Sequence, residues 1–227
     1  MDSCIEFSGS IHGQELRDSY FGLVFGIMAV IRSGRLCEDK SVLDKLLGQL
    51  VELGPKKVYL SDICSELLVS LVQSLPAKRL LKHLLPKIMP LLVREPAGAD
   101  TIALTLALEA RGSEINDISE PNIWQSRWRK GRVLHHSNFN AIIAALCDNG
   151  NSLPTLHCAW RLVFTQLVVS KASLIQDFWN RVFDEGLFSP ARATHDRKAL
   201  GFKLFLTFFP LLAHDKVCYL LFSVYLV

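Results

Sequence analysis

The run Arg127-Trp128-Arg129-Lys130-Gly131-Arg132 sets four cations among six residues, with Trp124 three positions upstream. Cations interleaved with indoles are a chemistry for nucleic acid: the charges neutralise phosphates while a ring such as Trp128 stacks on a base. The same composition also suits a loop whose tryptophans are pinned to a core while Arg127, Arg129, Lys130 and Arg132 stay in water. A net charge of only +3 favours this second reading. The group Lys78, Arg79, Lys82 and Lys87 lies beside a leucine stripe and is the wet face of a helix.

No other grouping assembles a nucleophile, a base and an orienting partner. His135-His136-Ser137-Asn138 contains the residue types of a triad fragment, yet reads better as the polar start of a helix capped by Ser137. Ser33 lies between Arg32 and Gly34, without the G-x-S-x-G elbow. Asp184-Glu185 sit at a helix end, and Asp148 and Asp215 are lone loop acids. Neither glycine-rich phosphate-binding motif occurs. The six cysteines (Cys4, Cys37, Cys64, Cys147, Cys158, Cys218) show no C-x-x-C spacing and no histidine ligand pattern. Reduced thiols are expected rather than disulfides or zinc. These observations predict a protein that is not an enzyme, with no cofactor, metal or small-molecule substrate.

The elements that would hold the basic run are helices. The run falls in Gly112–Leu134, the longest interruption of an otherwise helical pattern. Before it, Tyr20, Leu23, Ile27 and Ile31 recur on one face, with Phe21, Phe25 and Met28 on a second, and Ser33-Gly34 ends the segment. Gly22 and Gly26 would allow a neighbouring helix to approach closely. A leucine stripe at Leu43, Leu46, Leu47, Leu50 and Leu53 follows and stops at Gly54-Pro55. Ile63, Leu67, Leu71 and Leu75 mark a third helix, and Pro76 suits the first position of a fourth. Pro86 and Pro90 are expected to kink or break it, because each lacks an amide donor and clashes one turn back. Thr101–Leu108 alternates like a strand, but its alanines and helical flanks favour a buried helix.

After the basic run, Phe139, Ile142, Ile143 and Leu146 form a helix closed by Asn149-Gly150, and Trp160, Val163 and Leu167 point inward from another. An aromatic pair of helices completes the pattern. Phe178 and Val182 share one stripe, and Ile175, Trp179 and Phe183 another; Gly186 suits a left-handed stop. Thr194 can cap the second helix, with Leu200, Leu204 and Phe208 on one face and Phe202, Phe205 and Phe209 beside them. So many aromatic rings must bury against something, which predicts one unit of a stacked array with neighbours on both sides. The predicted fold class is all-α, an armadillo/HEAT-like helical-repeat solenoid.

The run FW-x-x-V-x-D-E-G-L-F from Phe178 to Phe188, followed by a basic linker and RKALGFKLF from Arg197 to Phe205, resembles the DNA polymerase V / Myb-binding protein 1A family. Gly13-Gln14-Glu15 and Tyr20–Leu36 resemble that family's opening helix, and the resemblance covers most of residues 13–216. It implies a protein of the nucleus and nucleolus that supports rRNA gene transcription and ribosome biogenesis through protein and DNA binding, and in animals co-regulates transcription factors. Implied partners are nuclear or nucleolar proteins and ribosomal DNA or RNA, with no membrane. The family's polymerase name finds no carboxylate pair here to hold two metal ions. A generic helical-repeat adaptor scaffold without nucleic-acid binding is the alternative.

The expected organisation is a disordered N-terminus over residues 1–14, a helical-repeat region over 15–216 belonging to a longer array, and an atypical apolar tail over 217–227. The chain opens without an apolar signal segment, and its apolar runs, Tyr20–Ile31, Gly201–Leu212 and Val217–Val227, fall short of a membrane span.

Overall fold

The computed structural model describes residues 22, 26–31, 33, 40–56, 58–116, 123–148, 156–170, 172–191 and 194–212. Every regular element among them is helical. The expected N-terminal and C-terminal segments, 1–14 and 217–227, lie outside the described residues. Helical residues 26–31 bury Met28 and Ile31. A Cβ built on Gly22 or Gly26 would meet no atom within 4 Å, so among the described residues nothing uses the close helix approach these glycines would allow.

Helix α1 (Lys40–Lys56) buries Leu43, Leu47 and Leu50, as its leucine stripe requires. It runs past the expected stop, includes Gly54 and Pro55 and ends one residue after the proline, so Pro55 removes an amide donor from the last turn only. Helix α2 (Val58–Ser74) is the hub, packing on α1 and burying Cys64, Leu67, Leu68, Val69, Leu71 and Val72 around most of its circumference.

Pro76 precedes α3 (Ala77–Arg79), which continues through a π turn at Leu80–Leu84 into α4 (Leu85–Leu92). The helix is therefore not broken at Pro86 or Pro90. It widens in the turn before Pro86, where Leu85 N–H donates to Leu80 O five residues back, and Pro90 sits exposed inside α4.

Helix α5 (Ala99–Ala110) settles the ambiguity at Thr101–Leu108 in favour of a helix buried on all sides from Asp100 to Leu108. Its alternation arises because large and small residues alternate, and Ala103 and Ala107 let α2, α4 and a later helix come close. The polar residues inside it are satisfied locally. Thr101 Oγ1 donates to Leu91 O at 2.8 Å, Thr105 Oγ1 to Thr101 O at 2.7 Å, and Asp100 pairs with Arg94 at 2.7 Å. Fully burying one Leu or Ile side chain contributes about 1.5–3 kcal/mol, and Ile102, Leu104, Leu106 and Leu108 are all fully buried.

Two short helices follow, α6 (Gly112–Asn116) and α7 (Ile123–Ser126), then a 3₁₀ turn at Arg129–Gly131. Helix α8 (Phe139–Ile143) widens into Ala144–Asp148; the expected stop at Asn149-Gly150 lies outside the described residues. Helix α9 (Cys158–Ser170) packs on α5 and also touches α2.

The aromatic pair is α10 (Ile175–Trp179), widening into Asn180–Leu187, and α11 (His195–Leu212). Phe164 of α9 stacks on Phe208 of α11 at 4.1 Å, and Phe139 meets Phe178 edge-on at 5.1 Å. Thr194 caps α11 as expected, its Oγ1 accepting from Arg197 N at 3.3 Å. Gly186 does not end its helix in the left-handed region. It lies inside the widened segment, where a Cβ would stand 2.9 Å from Arg181 O, so glycine is required for space.

The outer face of α11 departs from expectation. Leu204 and Phe208 are buried, but Phe202 is 62% and Leu206 71% exposed. No helix among the described residues is long and apolar enough to cross a membrane.

Candidate functional site

The structure divides the basic run into an inner and an outer half. Arg127 belongs to the inner half, its guanidinium turned to the C-terminal end of α4. Nη1 donates to Leu92 O at 3.2 Å and to Arg94 O, while Nη2 pairs with Glu95 at 3.2 Å. The last carbonyls of a helix have no partners within it, and a cation there also meets the negative end of the dipole. Arg111 does the same for α2, donating to Val72 O and Leu75 O. Trp128 is buried at 4% exposure, with the Arg127 guanidinium 5.6 Å from its ring centre. Its ring anchors the loop and is not presented to a base. Trp124 carries no described side chain.

Arg129, Lys130 and Arg132 form the outer half and are exposed. Their backbone is bent sharply, with Lys130 at φ 63° and Gly131 at φ 66°, two successive left-handed residues. Such a turn persists only where its surroundings hold it. Val133 and Leu134 plug the core on one side, and Val133 N donates to Glu109 Oε1 at 2.8 Å. On the other side is Asn138, expected only as part of a polar helix start and in fact buried. Its Oδ1 accepts from Arg129 N, and its Nδ2 donates to the carbonyls of Arg129, Arg132 and Val133 at 3.2, 2.7 and 3.3 Å. The expected cap Ser137 gives way to His135, whose Nδ1 accepts from Ser137 N at 3.2 Å. A local signal existed, since asparagine commonly bonds backbone near a turn, but nothing local shows which turn it closes.

Beside the turn lies an open cleft of about 590 Å³, lined by Glu109, Ser113, Gln125, Gly131, Arg132 and Gln166 among others. The loop thus offers a rigid basic edge above a groove of mixed lining, where Ala110, Leu134 and Val169 stand among the polar groups. It provides positive charge and hydrogen-bonding groups.

A second polar cluster joins α2 to the start of α9. Asp62 Oδ1 accepts from Cys158 N at 2.8 Å, capping α9 from 96 residues away. His157 Nδ1 accepts from Ala159 N at 3.1 Å and stands 3.9 Å from Cys158 Sγ. Burial lowers the His157 pKa to about 4, which keeps the ring neutral, and pushes the Cys158 thiol well above its ordinary range, with Asp62 and Glu66 adding to the rise. A protonated, buried thiol is a poor nucleophile. The ligand atoms of Asp62, His157 and Cys158 lie within 4.8 Å of one another. Sequence spacing alone could not find this set, because its carboxylate comes from another helix.

Comparison with known proteins adds the following. A family model described as DNA polymerase phi matches residues 2–227. The rDNA transcriptional regulator pol5 of Schizosaccharomyces pombe is 26% identical over 213 residues, covering 87% of this chain and 22% of that protein. Myb-binding protein 1A of Mus musculus is 24% identical over 212 residues, covering 89% of this chain and 14% of that protein. The chain thus corresponds to less than a quarter of the length of either relative. No solved structure matches it.

Proposed function

Because the chain belongs to the DNA polymerase phi family, we propose that it is a non-catalytic helical-repeat protein of the nucleus and nucleolus. It supports rRNA gene transcription and ribosome biogenesis by docking nuclear proteins and ribosomal DNA or RNA. The observation that carries this reading is the similarity, along most of the chain, to a protein named for rDNA transcriptional regulation. The packing order supports an armadillo/HEAT-like array: α1 on α2, α2 on α5, α5 on α9, and α9 on α11. Stacks of this kind work through long surfaces rather than through catalytic pockets. The exposed Arg129, Lys130 and Arg132 on a stiffened turn are the residues offered to phosphates.

The test is chromatin immunoprecipitation of the tagged chain in cells. Enrichment on the rRNA genes over an unlinked locus is expected, and equal occupancy at both overturns the reading.

One observation favours an adaptor scaffold that binds no nucleic acid: Arg127 and Trp128, two of the five residues of the cation–aromatic motif, are committed to interior contacts. Salt dependence separates the two. Replacing Arg129, Lys130 and Arg132 with alanine is expected to flatten the slope of log affinity against log salt by roughly 0.9 per lost phosphate contact on duplex DNA. An unchanged slope leaves the adaptor.

A further inference from the structure

We propose that Asp62, His157 and Cys158 form a metal site for a divalent cation of the zinc class, clasping α2 to α9. The proposal does not depend on the docking reading above. The three ligand atoms lie within 4.8 Å of one another, and Sγ of Cys158 is 3.9 Å from Nδ1 of His157. Sulfur and nitrogen sharing one tetrahedral zinc, with bonds of about 2.3 and 2.0–2.1 Å, are roughly 3.5 Å apart. The sulfur and nitrogen are therefore a few tenths of an ångström from their spacing on an ion, and the carboxylate, within 4.8 Å of both, has to swing in by up to about an ångström more. Thiolate, imidazole and carboxylate together are a donor mixture that suits zinc and disfavours magnesium or calcium, which take oxygen.

The state of His157 points the same way. Because Nδ1 accepts the Ala159 amide, the proton sits on Nε2, which is the tautomer a metal on Nδ1 requires. Nε2 itself is buried and finds no partner among the described residues, in a residue only 9% exposed. A cation on Nδ1 takes over the lone pair that now accepts the Ala159 amide, so binding exchanges that hydrogen bond for a metal–nitrogen bond. Asp62 keeps Oδ1 on the Cys158 amide, and a carboxylate has further lone pairs to offer.

Among the described residues the charges acting on the Cys158 thiol are Asp62, Glu66 and Arg161, with Glu66 and Arg161 engaged to each other. Binding replaces the thiol proton: the S–H bond breaks, a metal–sulfur bond forms, and one proton leaves to solvent. The ion then faces one carboxylate and one thiolate, so the bound site carries no net charge.

The test titrates the purified full chain, freed of metal by chelation, with cobalt(II) as a spectroscopic stand-in and then with zinc. Expected are one equivalent bound with thiolate-to-cobalt charge-transfer absorption, displacement by zinc, and release of one proton. Cys158→Ser abolishes the absorption. Asp62→Asn preserves an acceptor for the Cys158 amide, so metal-free stability holds while affinity falls at least tenfold. Absence of thiolate–cobalt absorption at one equivalent overturns the proposal, as does absorption that survives Cys158→Ser and so comes from another cysteine. If Cys158→Ser does not fold, Asp62→Asn decides: unchanged affinity refutes the site.

Discussion

Asn138 holds Arg129 by both polar groups of its backbone, Oδ1 accepting from the amide and Nδ2 donating to the carbonyl, each at 3.2 Å. One buried carboxamide thereby sets the direction of a basic turn nine residues away. Asn138→Ala leaves the Arg132 and Val133 carbonyls short of a donor, and is expected to cost about 2–4 kcal/mol. In a chain of this size that lowers the melting temperature by roughly 4–16 °C. Asn138→Asp keeps the acceptor but turns a second oxygen toward three carbonyls, so at neutral pH it should cost at least as much as alanine. Urea unfolding of the two variants checks the order.

The four cations of the basic run should separate cleanly in stability. Arg127→Ala removes the partners of Leu92 O and Arg94 O and the Glu95 ion pair. A loss of about 1.5–3 kcal/mol is expected, as for hydrogen bonds to charged groups. Single alanine substitutions of Arg129, Lys130 and Arg132 should stay within about 0.5 kcal/mol. Equal losses at all four positions would contradict the division into inner and outer halves.

Replacing glycine with alanine inside a helix ordinarily stabilises by up to about 1 kcal/mol. Gly186→Ala should do the opposite, because its Cβ would stand 2.9 Å from Arg181 O. A loss of about 1–3 kcal/mol is expected from this overpacking. A more stable variant in thermal melts would mean that the widened turn after α10 is not the native one.

His157 links stability to acidity in the chelated, metal-free chain. Its folded pKa is near 4, below the ordinary 6.5, because burial penalises the imidazolium. Above pH 6.5 both folded and unfolded rings are neutral and stability is complete. As pH falls from 6.5 toward 4 the unfolded chain takes up the proton first, and roughly 3 kcal/mol is lost. Unfolding curves at pH 7.5 and 4.5 should therefore diverge more for the native chain than for His157→Gln.

Leu206, at 71% exposure, faces away from the contacts that α11 makes with α9. Leu206→Ser is expected to change stability by less than about 0.5 kcal/mol, as at other surface positions, while lowering binding of a hydrophobic dye. A destabilisation comparable to that of a core leucine would show that this face is covered in the folded chain.

The helices were legible because their signal is local. Leu43, Leu47 and Leu50, or Leu204 and Phe208, repeat at the helical period and go inside as the period predicts. Punctuation was less legible. Gly54-Pro55, Pro86 and Gly186 all carry stop signals, yet the helices run through them, two by widening the turn and one by ending within a residue or two. A local breaker only raises the cost of a helix, and the packing on either side decides whether that cost is met.

The amino-acid sequence by itself determined that the chain is helical, which faces are apolar, and where the basic run interrupts the pattern, since each depends on residues within a turn or two. Only the tertiary structure decided that Arg127 faces inward while Arg129 faces out, and that Asp62 meets Cys158. A cation leaves water when unpaired carbonyls lie within reach, and those carbonyls belong to the end of α4, some thirty-five residues earlier in the chain. Which helix end comes near which side chain follows from how the apolar faces stack, and no local pattern carries that information.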